Sequence, residues 1–402
     1  EILKNKTKII TAWSMGLTQH KNSVSTIQEV VNLHLLKGSI GKPGAGLCPV
    51  RGHSNVQGDR TMGINEHPTE KFLNRLENVF GFTVPRKDGY DVVNSIKAMN
   101  SGNAKVFLGM GGNFLSATPD TGFTAAALRN CVLTIHVSTK LNRSHLVHGK
   151  EALILPVLSR SDRDGSGGVS QFVSCENSMG VVQSSEGVLK PVSGKLLSEP
   201  VLVCRLAKAV LKEKSVINWN LYEKHYDNIR DAIEKVIPGF ENYNERVRKP
   251  GGFYLPNSAR EQKFDTKTNK AHFNIYPVNK WELNEDELVM ITVRSHDQFN
   301  TTIYGLDDRY RGIKGSRRVI LLNKKDMERR DLKDKDVINI ISNYNGQRRI
   351  ARKFIAVEYP ITEYCAATYY PETNVLVSID SVAEKSNTPV FKTVNITLEK
   401  AL

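Results

Sequence analysis

Segment 41–63, GKPGAGLCPVRGHSNVQGDRTMG, packs six glycines, two arginines, a histidine and two uncharged side-chain amides into a stretch with no helical or strand period. Glycine lets backbone approach a ligand closely. Arginine offers a planar fork that suits an oxyanion or phosphate, and amides suit the edge of a heterocycle. Arg51, His53, Asn55, Gln57 and Arg60 are therefore candidates for gripping a polar or anionic ligand, with an internally braced turn as the competing reading. An ordinary dinucleotide fingerprint is excluded, because that needs G-x-G-x-x-G directly after a strand and opening a helix. GKPGAG has the reverse order and follows a helical pattern.

The flanking elements must position this loop. KIITAWSMG, from Lys8, reads as a buried strand, and SVSTIQEVVNLHLLKG as a helix with Ile27, Val30, Val31, Leu33 and Leu35 recurring and Gly38 as its stop. His20 and His34 are expected to be core or helix-surface residues. After the loop, EKFLNRLENVFG and DVVNSIKAMNSG predict helices, the second with Val92, Val93, Ile96 and Met99 on one face. KVFLGMGGNFLS is a strand running into a glycine turn, TGFTAAALRN a helix, and VLTIHVSTKLNRS and EALILPVL strands. Strands alternating with helices predict an α/β doubly wound parallel sheet, with ligands at the carboxyl ends of its strands. Three such ends carry polar clusters: TAWSMGLTQHKNS, GMGGNFLSATPD and HVSTKLNRSH.

Residues 159–275 read as loops and small helices, including EPVLVCRLAKAVLKE and NLYEKHYDNIRDAIEKVI, leading to a Pro/Gly-rich linker, KPGGFYLPNSAR. From about residue 285 strand patterns dominate, and the NG at 345–346 between two alternating segments predicts a hairpin. The C-terminal region is expected to be a small β-barrel.

At 402 residues the chain has room for two or three domains. Lysine and arginine exceed acids by 56 to 42, giving +14. Bases and acids interleave in RRVILLNKKDMERRDLKDKD, which favours a solvated charged surface over a site for a polyphosphorylated ligand. No basic patch interleaved with aromatics is present, so nucleic acid is not the expected partner. The longest apolar runs fall well short of the roughly 20 residues that span a bilayer, and no membrane span is expected. Five unevenly spaced cysteines without a C-x-x-C argue against a disulfide framework and against a zinc or iron-sulfur site formed within this chain, and suggest a reducing, cytoplasmic setting. The first residues lack the pattern of a leader peptide and an initiating Met, which suggests a start inside a larger polypeptide.

With those residues in view, the segment TAWSMGLTQHKNSVSTIQEVVNLHLLKGSIGKPGAGLCPVRGHSNVQGDRTMG resembles the WGMGxTQ…NLxLLTGNxGRPGxGxxPxRGxxNVQG…MG stretch of molybdopterin oxidoreductases, in the formate dehydrogenase branch of the dimethyl sulfoxide reductase family. KVFLGMGGNFLSATPD, EALILPVLSRSD, ELVMITVRSHDQFNTTIYGLDDRYRG and TNVLVSIDSVAEKSNTPVFKTVNITLE resemble further landmarks of that family, in its order. The resemblance implies the end of an α/β molybdopterin-binding domain at 1–56, an α/β molybdopterin oxidoreductase domain with an irregular, helical insert at 57–275, and a double-psi β-barrel at 276–402.

It also implies molybdenum held by two molybdopterin guanine dinucleotides (bis-MGD), whose four phosphates would partner the positive charge. Arg51 and His53 fall on the positions that face the substrate, formate or another small molecule. Asn55 and Gln57 lead into the pterin-binding region. Gly111, Gly112, Asn113, Ser138 and Thr139 fall on the lining of one dinucleotide, and Glu176 near an acid that reads a guanine. Arg294, Ser295, His296, Thr301 and Thr302 match the barrel turn that touches pterin and phosphate, and Asn374 and Lys392 match late contacts. The molybdenum ligand and any [4Fe-4S] cluster belong, in the family, to a portion preceding Glu1, so no metal ligand is assigned here. Electrons would leave to an acceptor, a partner protein included. A module that binds or matures the cofactor without turnover is the alternative.

Overall fold

The computed structural model describes residues 3–278, 280 and 282–401. Strands β1 (Ile10–Trp13) and β2 (Gly46–Pro49) pair in parallel, joined through helix Ser23–Leu36. A second parallel sheet holds β3 (Val106–Met110), β4 (Leu133–Ser138) and β5 (Glu151–Pro156) in that order, with helix Thr121–Arg129 crossing between β3 and β4. Among the described strands of this sheet the order has no reversal.

Local sequence sets the element ends. Thr69 Oγ1 accepts from Phe72 N at 3.3 Å to start helix Glu70–Phe80, and Gly81, at φ 71°, ends it. Asp91 accepts from Asn94 N at 2.9 Å to start helix Val92–Asn100. Val93, Ile96 and Met99 of that helix enter a core with Leu128 and Cys131, while Val92 lies on the exposed side.

The middle region differs from expectation in two ways. KPGGFYLPNSAR is not wholly linker: Phe253–Tyr254 forms strand β8, which joins β6 (Val173–Glu176) and β7 (Val181–Ser185) in an antiparallel sheet. The second expected helix is split into Trp219–Lys224 and Asp227–Val236. The buried Gln171 side chain causes the break, donating to Lys224 O at 3.0 Å and accepting from Tyr226 N at 3.2 Å. These bonds replace the helical ones at that point.

The C-terminal region holds β9 (Leu288–Val293), a small ribbon of β10 (Gln298–Phe299) and β11 (Thr302–Ile303), then β12 (Val319–Leu322), β13 (Val337–Tyr344), β14 (Gln347–Glu358), β15 (Cys365–Tyr369) and β16 (Val394–Lys400). Six of these close in the order β12-β14-β13-β16-β9-β15, a double-psi β-barrel. Leu288, Met290, Ile320, Leu322, Ile338, Ile340 and Phe354 fill it, each worth about 2 kcal/mol of burial. The NG hairpin is present, with Tyr344 opposite Gln347 and positive φ at both Asn345 and Gly346.

The charged run 317–336 is not simply a solvated surface. Arg317 is buried against Glu372, and Asp326 is fully buried beside Arg329 and Arg330.

Coverage is uneven. Accessible surface totals 23787 Å², whereas a compact monomer of 45.0 kDa exposes about 16,000 Å². The excess is concentrated where parallel strands should be covered on both faces. Val106, Leu108 and Met110 on β3 and Leu153 and Ile154 on β5 are all exposed, and the apolar residues of helix Ser23–Leu36 are at best half-buried. That helix instead buries Asn32 and His34, which bond to Asn274 and Thr11.

Candidate functional site

Four groups of side chains converge from separate elements. The first joins the opening loop to the barrel. His53 Nε2 lies 3.0 Å from Asn300 Nδ2, and its ring meets Phe299 edge-on with centroids 5.6 Å apart. Thr301 and Thr302 follow directly in the β10–β11 ribbon. Arg51 is exposed and donates through Nε and Nη2 to Gln57 Oε1 at 3.1 and 2.7 Å, so one amide steadies the guanidinium and leaves the rest of its fork free.

The second group is electrostatically unusual. Arg294 stacks over Tyr370, 4.3 Å from the ring centre, and its buried Nε has no hydrogen-bond partner. Lys392 donates to Thr292 O and, at 3.3 Å, to Thr292 Oγ1. Burial pushes the Lys392 ammonium down to about 8, with Arg294 adding to the effect, and burial lowers Arg294 as well. No acid offsets either charge among the described residues. His20 completes the group. Its Nε2 donates to Gly16 O at 2.8 Å, which leaves Nδ1 to accept from Thr393 Oγ1 at 2.6 Å. Burial first, and then Lys392, lower its pKa. Two partly buried cations without an anion are costly, so this arrangement fits a negatively charged ligand.

The third group sits where β3 and β4 end. Gly111 and Gly112 have φ of 71° and 74°, and a Cβ on either would meet nothing within 4 Å, so the turn presents bare backbone to open space. Asn113 Oδ1 accepts from Ser144 Oγ at 2.7 Å, Asn142 Nδ2 donates to Gly112 O at 2.9 Å, and Ser138 Oγ donates to Lys140 O at 2.7 Å. Thr139 follows Ser138 on the rim of a separate apolar cleft.

The fourth group lines a cleft of about 1060 Å³ between loop 40–47 and the β6–β8 sheet. Buried Glu176 accepts from Thr61 Oγ1 at 2.5 Å, and its backbone N–H donates to Asn55 Oδ1 at 2.9 Å. Gln57 reaches the same cleft.

The remaining expected residues serve as braces. Ser295 Oγ accepts from Arg317 at 2.5 Å, and His296 Nε2 accepts from Arg309 Nε at 2.9 Å. Asn374 Nδ2 donates to Ser116 O at 2.8 Å and Thr118 O at 3.3 Å, while its buried Oδ1 is unpartnered. Sequence reasoning missed Tyr370, Asn300 and Arg260, which rims the Glu176 cleft stacked on Tyr254. It read His20 as core or helix surface, whereas His20 joins the N-terminal segment to the barrel. No local pattern marks these residues, because each acquires its role from a partner far along the chain. No group of three or more His, Cys, Asp or Glu poised to hold a metal exists among the described residues, and no helix among them is long and apolar enough to cross a membrane.

Partly buried cations with no acid beside them in the barrel, and a glycine turn with open backbone, fit a negatively charged ligand. Residues 288–395 match the family model described as the molydopterin dinucleotide binding domain. The chain is 52% identical over 398 residues to an uncharacterized oxidoreductase of Mycobacterium tuberculosis, covering 98% of this chain and 51% of that protein. It is 25% identical over 309 residues to the alpha subunit of an F420-dependent formate dehydrogenase of Methanocaldococcus jannaschii, covering 71% of this chain and 42% of that protein. Among solved structures, acetylene hydratase from Pelobacter acetylenicus superposes with a TM-score of 0.55 at 14% identity, over 97% of this chain and 60% of that one, a likeness of fold alone. This chain belongs to the molybdopterin oxidoreductases of the dimethyl sulfoxide reductase family. It spans about half the length of the curated relatives it matches.

Proposed function

We propose that this chain forms the pterin-dinucleotide-binding half of a molybdenum oxidoreductase that oxidises formate or a similar small substrate. The observation that carries this reading is the pair of partly buried cations, Arg294 and Lys392, with no acid beside them among the described residues, inside the segment matched by the dinucleotide-binding model. In bis-MGD the phosphates would offset that charge. Gly111, Gly112, Asn113, Ser138 and Thr139 would hold one dinucleotide through backbone and hydroxyl groups, and Glu176 would accept from the N–H donors of a guanine. Asn55, Gln57, Ser295, His296, Thr301, Thr302 and Asn374 would face or brace the pterin. The bound cofactor supplies two-electron oxidation and reduction. Arg51 would then orient a carboxylate with the part of its fork that Gln57 leaves free, and His53, steadied by Asn300 and Phe299, would hold or accept a proton.

The excess surface and the length of the relatives support a working unit that includes a further portion, covering β3, β5 and helix Ser23–Leu36. In that complete polypeptide, Arg51→Leu is expected to raise the formate KM at least tenfold or abolish turnover. Unchanged formate kinetics would remove Arg51 from the substrate site. Bound pterin without turnover of any small substrate would favour the non-catalytic module.

A further inference from the structure

Asp120 occupies the position that starts helix Thr121–Arg129, yet it does not behave as a helix-capping aspartate. Such a residue normally has extended backbone and accepts from its own helix's amides. Here Asp120 has φ 48°, ψ 63°, makes no side-chain cap and is buried. A non-glycine residue in the left-handed region persists only where its surroundings over-determine it. Those surroundings come from the barrel. Oδ2 accepts from Arg349 Nε at 2.9 Å, from Arg349 Nη2 at 2.7 Å and from Ile379 N at 3.3 Å. Arg349 belongs to β14, 229 residues further along the chain, and Gln347 Oε1 at 2.8 Å holds its other edge.

The contact extends backward from Asp120. Its own N–H donates to Asn374 O at 3.0 Å, Asn374 Nδ2 donates to Ser116 O and Thr118 O, and Tyr370 OH donates to Ala117 O at 3.0 Å. The carbonyls at the end of the short helix Phe114–Ala117 are thus capped by barrel side chains rather than by a continuation of the helix. That helix starts from Asn113, directly after Gly111 and Gly112, whose backbone faces open space. Tyr370 also carries Arg294 on its ring. One strap, residues 113–120, therefore has a ligand-facing turn at its head, barrel caps along its body and a buried ion pair at its tail.

We propose that the Asp120–Arg349 pair is a positioning latch that fixes the turn at residues 111–113 relative to the barrel, so that the two halves of the anion site are set against each other before ligand arrives. The latch touches no ligand itself, and its bearing on cofactor retention rests on the function proposed above. The direct test does not depend on that function. Amide hydrogen exchange is followed in the 402-residue chain and in Asp120→Asn. Exchange at residues 111–117 is expected to quicken about tenfold, the size typical of coupling between two sites, while exchange in β12 and β13 stays unchanged. Unchanged exchange at 111–117 overturns the latch. An equal rise throughout the barrel overturns it too, since the pair would then serve general stability. If Asp120→Asn does not fold, Arg349→Lys, which keeps the charge but loses the two-pronged contact, is read by the same criteria with an expected rise of about threefold. In the complete polypeptide, Asp120→Asn is expected to retain several-fold less pterin and molybdenum after dilution and filtration. Full retention despite quickened exchange would separate the latch, which stands, from the cofactor reading, which falls.

Discussion

Arg317 and Arg294 begin from similar circumstances and end differently. Both lie within the barrel region, Arg317 buried and Arg294 partly buried, and both stack on neighbouring tyrosines, Tyr369 at 4.7 Å and Tyr370 at 4.3 Å. Arg317 is fully answered. It donates to Glu372 at 2.6 and 3.1 Å, to Ser295, to Gln298 Oε1 at 2.9 Å and to Tyr370 O at 2.9 Å. Arg294 has the aromatic face and a second cation, Lys392, but no acid, and its Nε is unpartnered. The first corner is complete in itself. The second has no such answer among the described residues, and on the function proposed above an anion from outside would supply it.

The largest expected effect comes from breaking the complete corner. Arg317→Met strands Glu372 and the acceptors around it, and should lower stability by about 3 kcal/mol in a denaturant titration. A change under 1 kcal/mol would mean the Arg317 network contributes little and the contrast with Arg294 is false.

Lys392→Met should move the other way. Folding lowers the Lys392 pKa from 10.5 to about 8. The unfolded chain therefore holds more protons between pH 8 and 10.5, and stability rises with pH across that window. Below pH 8 the penalty is fully present, about 2 kcal/mol after allowance for relaxation. The ligand-free variant should be stabilised by that amount at pH 7, and its stability should lose the alkaline rise. Equal pH profiles for variant and parent would show that Lys392 is not held as a destabilised cation.

Smaller still is the response to a simple anion. Inorganic pyrophosphate at millimolar concentration should raise the melting temperature by about 2 degrees, about 1.4 kcal/mol at tenfold excess over Kd. The rise should shrink at pH 10, where Lys392 is neutral without ligand. It should vanish in Arg294→Met, whereas a persistent rise would place the anion elsewhere.

How much of this was legible depended on whether the information was local. The hairpin at Asn345–Gly346 and the helix stop at Gly38 were readable because each needs a backbone conformation that its own residues specify. The strand ends at Gly111–Asn113 and Ser138–Thr139 were readable as neighbours because β3 and β4 pair in parallel with Met110 beside Val137. The split of helix 219–236 was not readable, since Gln171 makes it from about fifty residues away. Burial of Arg317 and Asp326 was hidden as well, because a run of alternating charges looks the same whether its partners are water or Glu372. Arg294 and Lys392 each entered through family resemblance, and their pairing was not foreseen. Nothing in either local sequence shows that β9 and the segment before β16 run side by side.

That adjacency has a consequence for the order of events during synthesis. Strand β16 lies between β13 and β9 and is the element that joins them. A nascent chain halted before residue 394 leaves the barrel split along this seam, with Lys392 not yet seated against Thr292. On the function proposed above, the anion site would form only after β16 has been delivered, and cofactor loading would follow translation of this region instead of accompanying it.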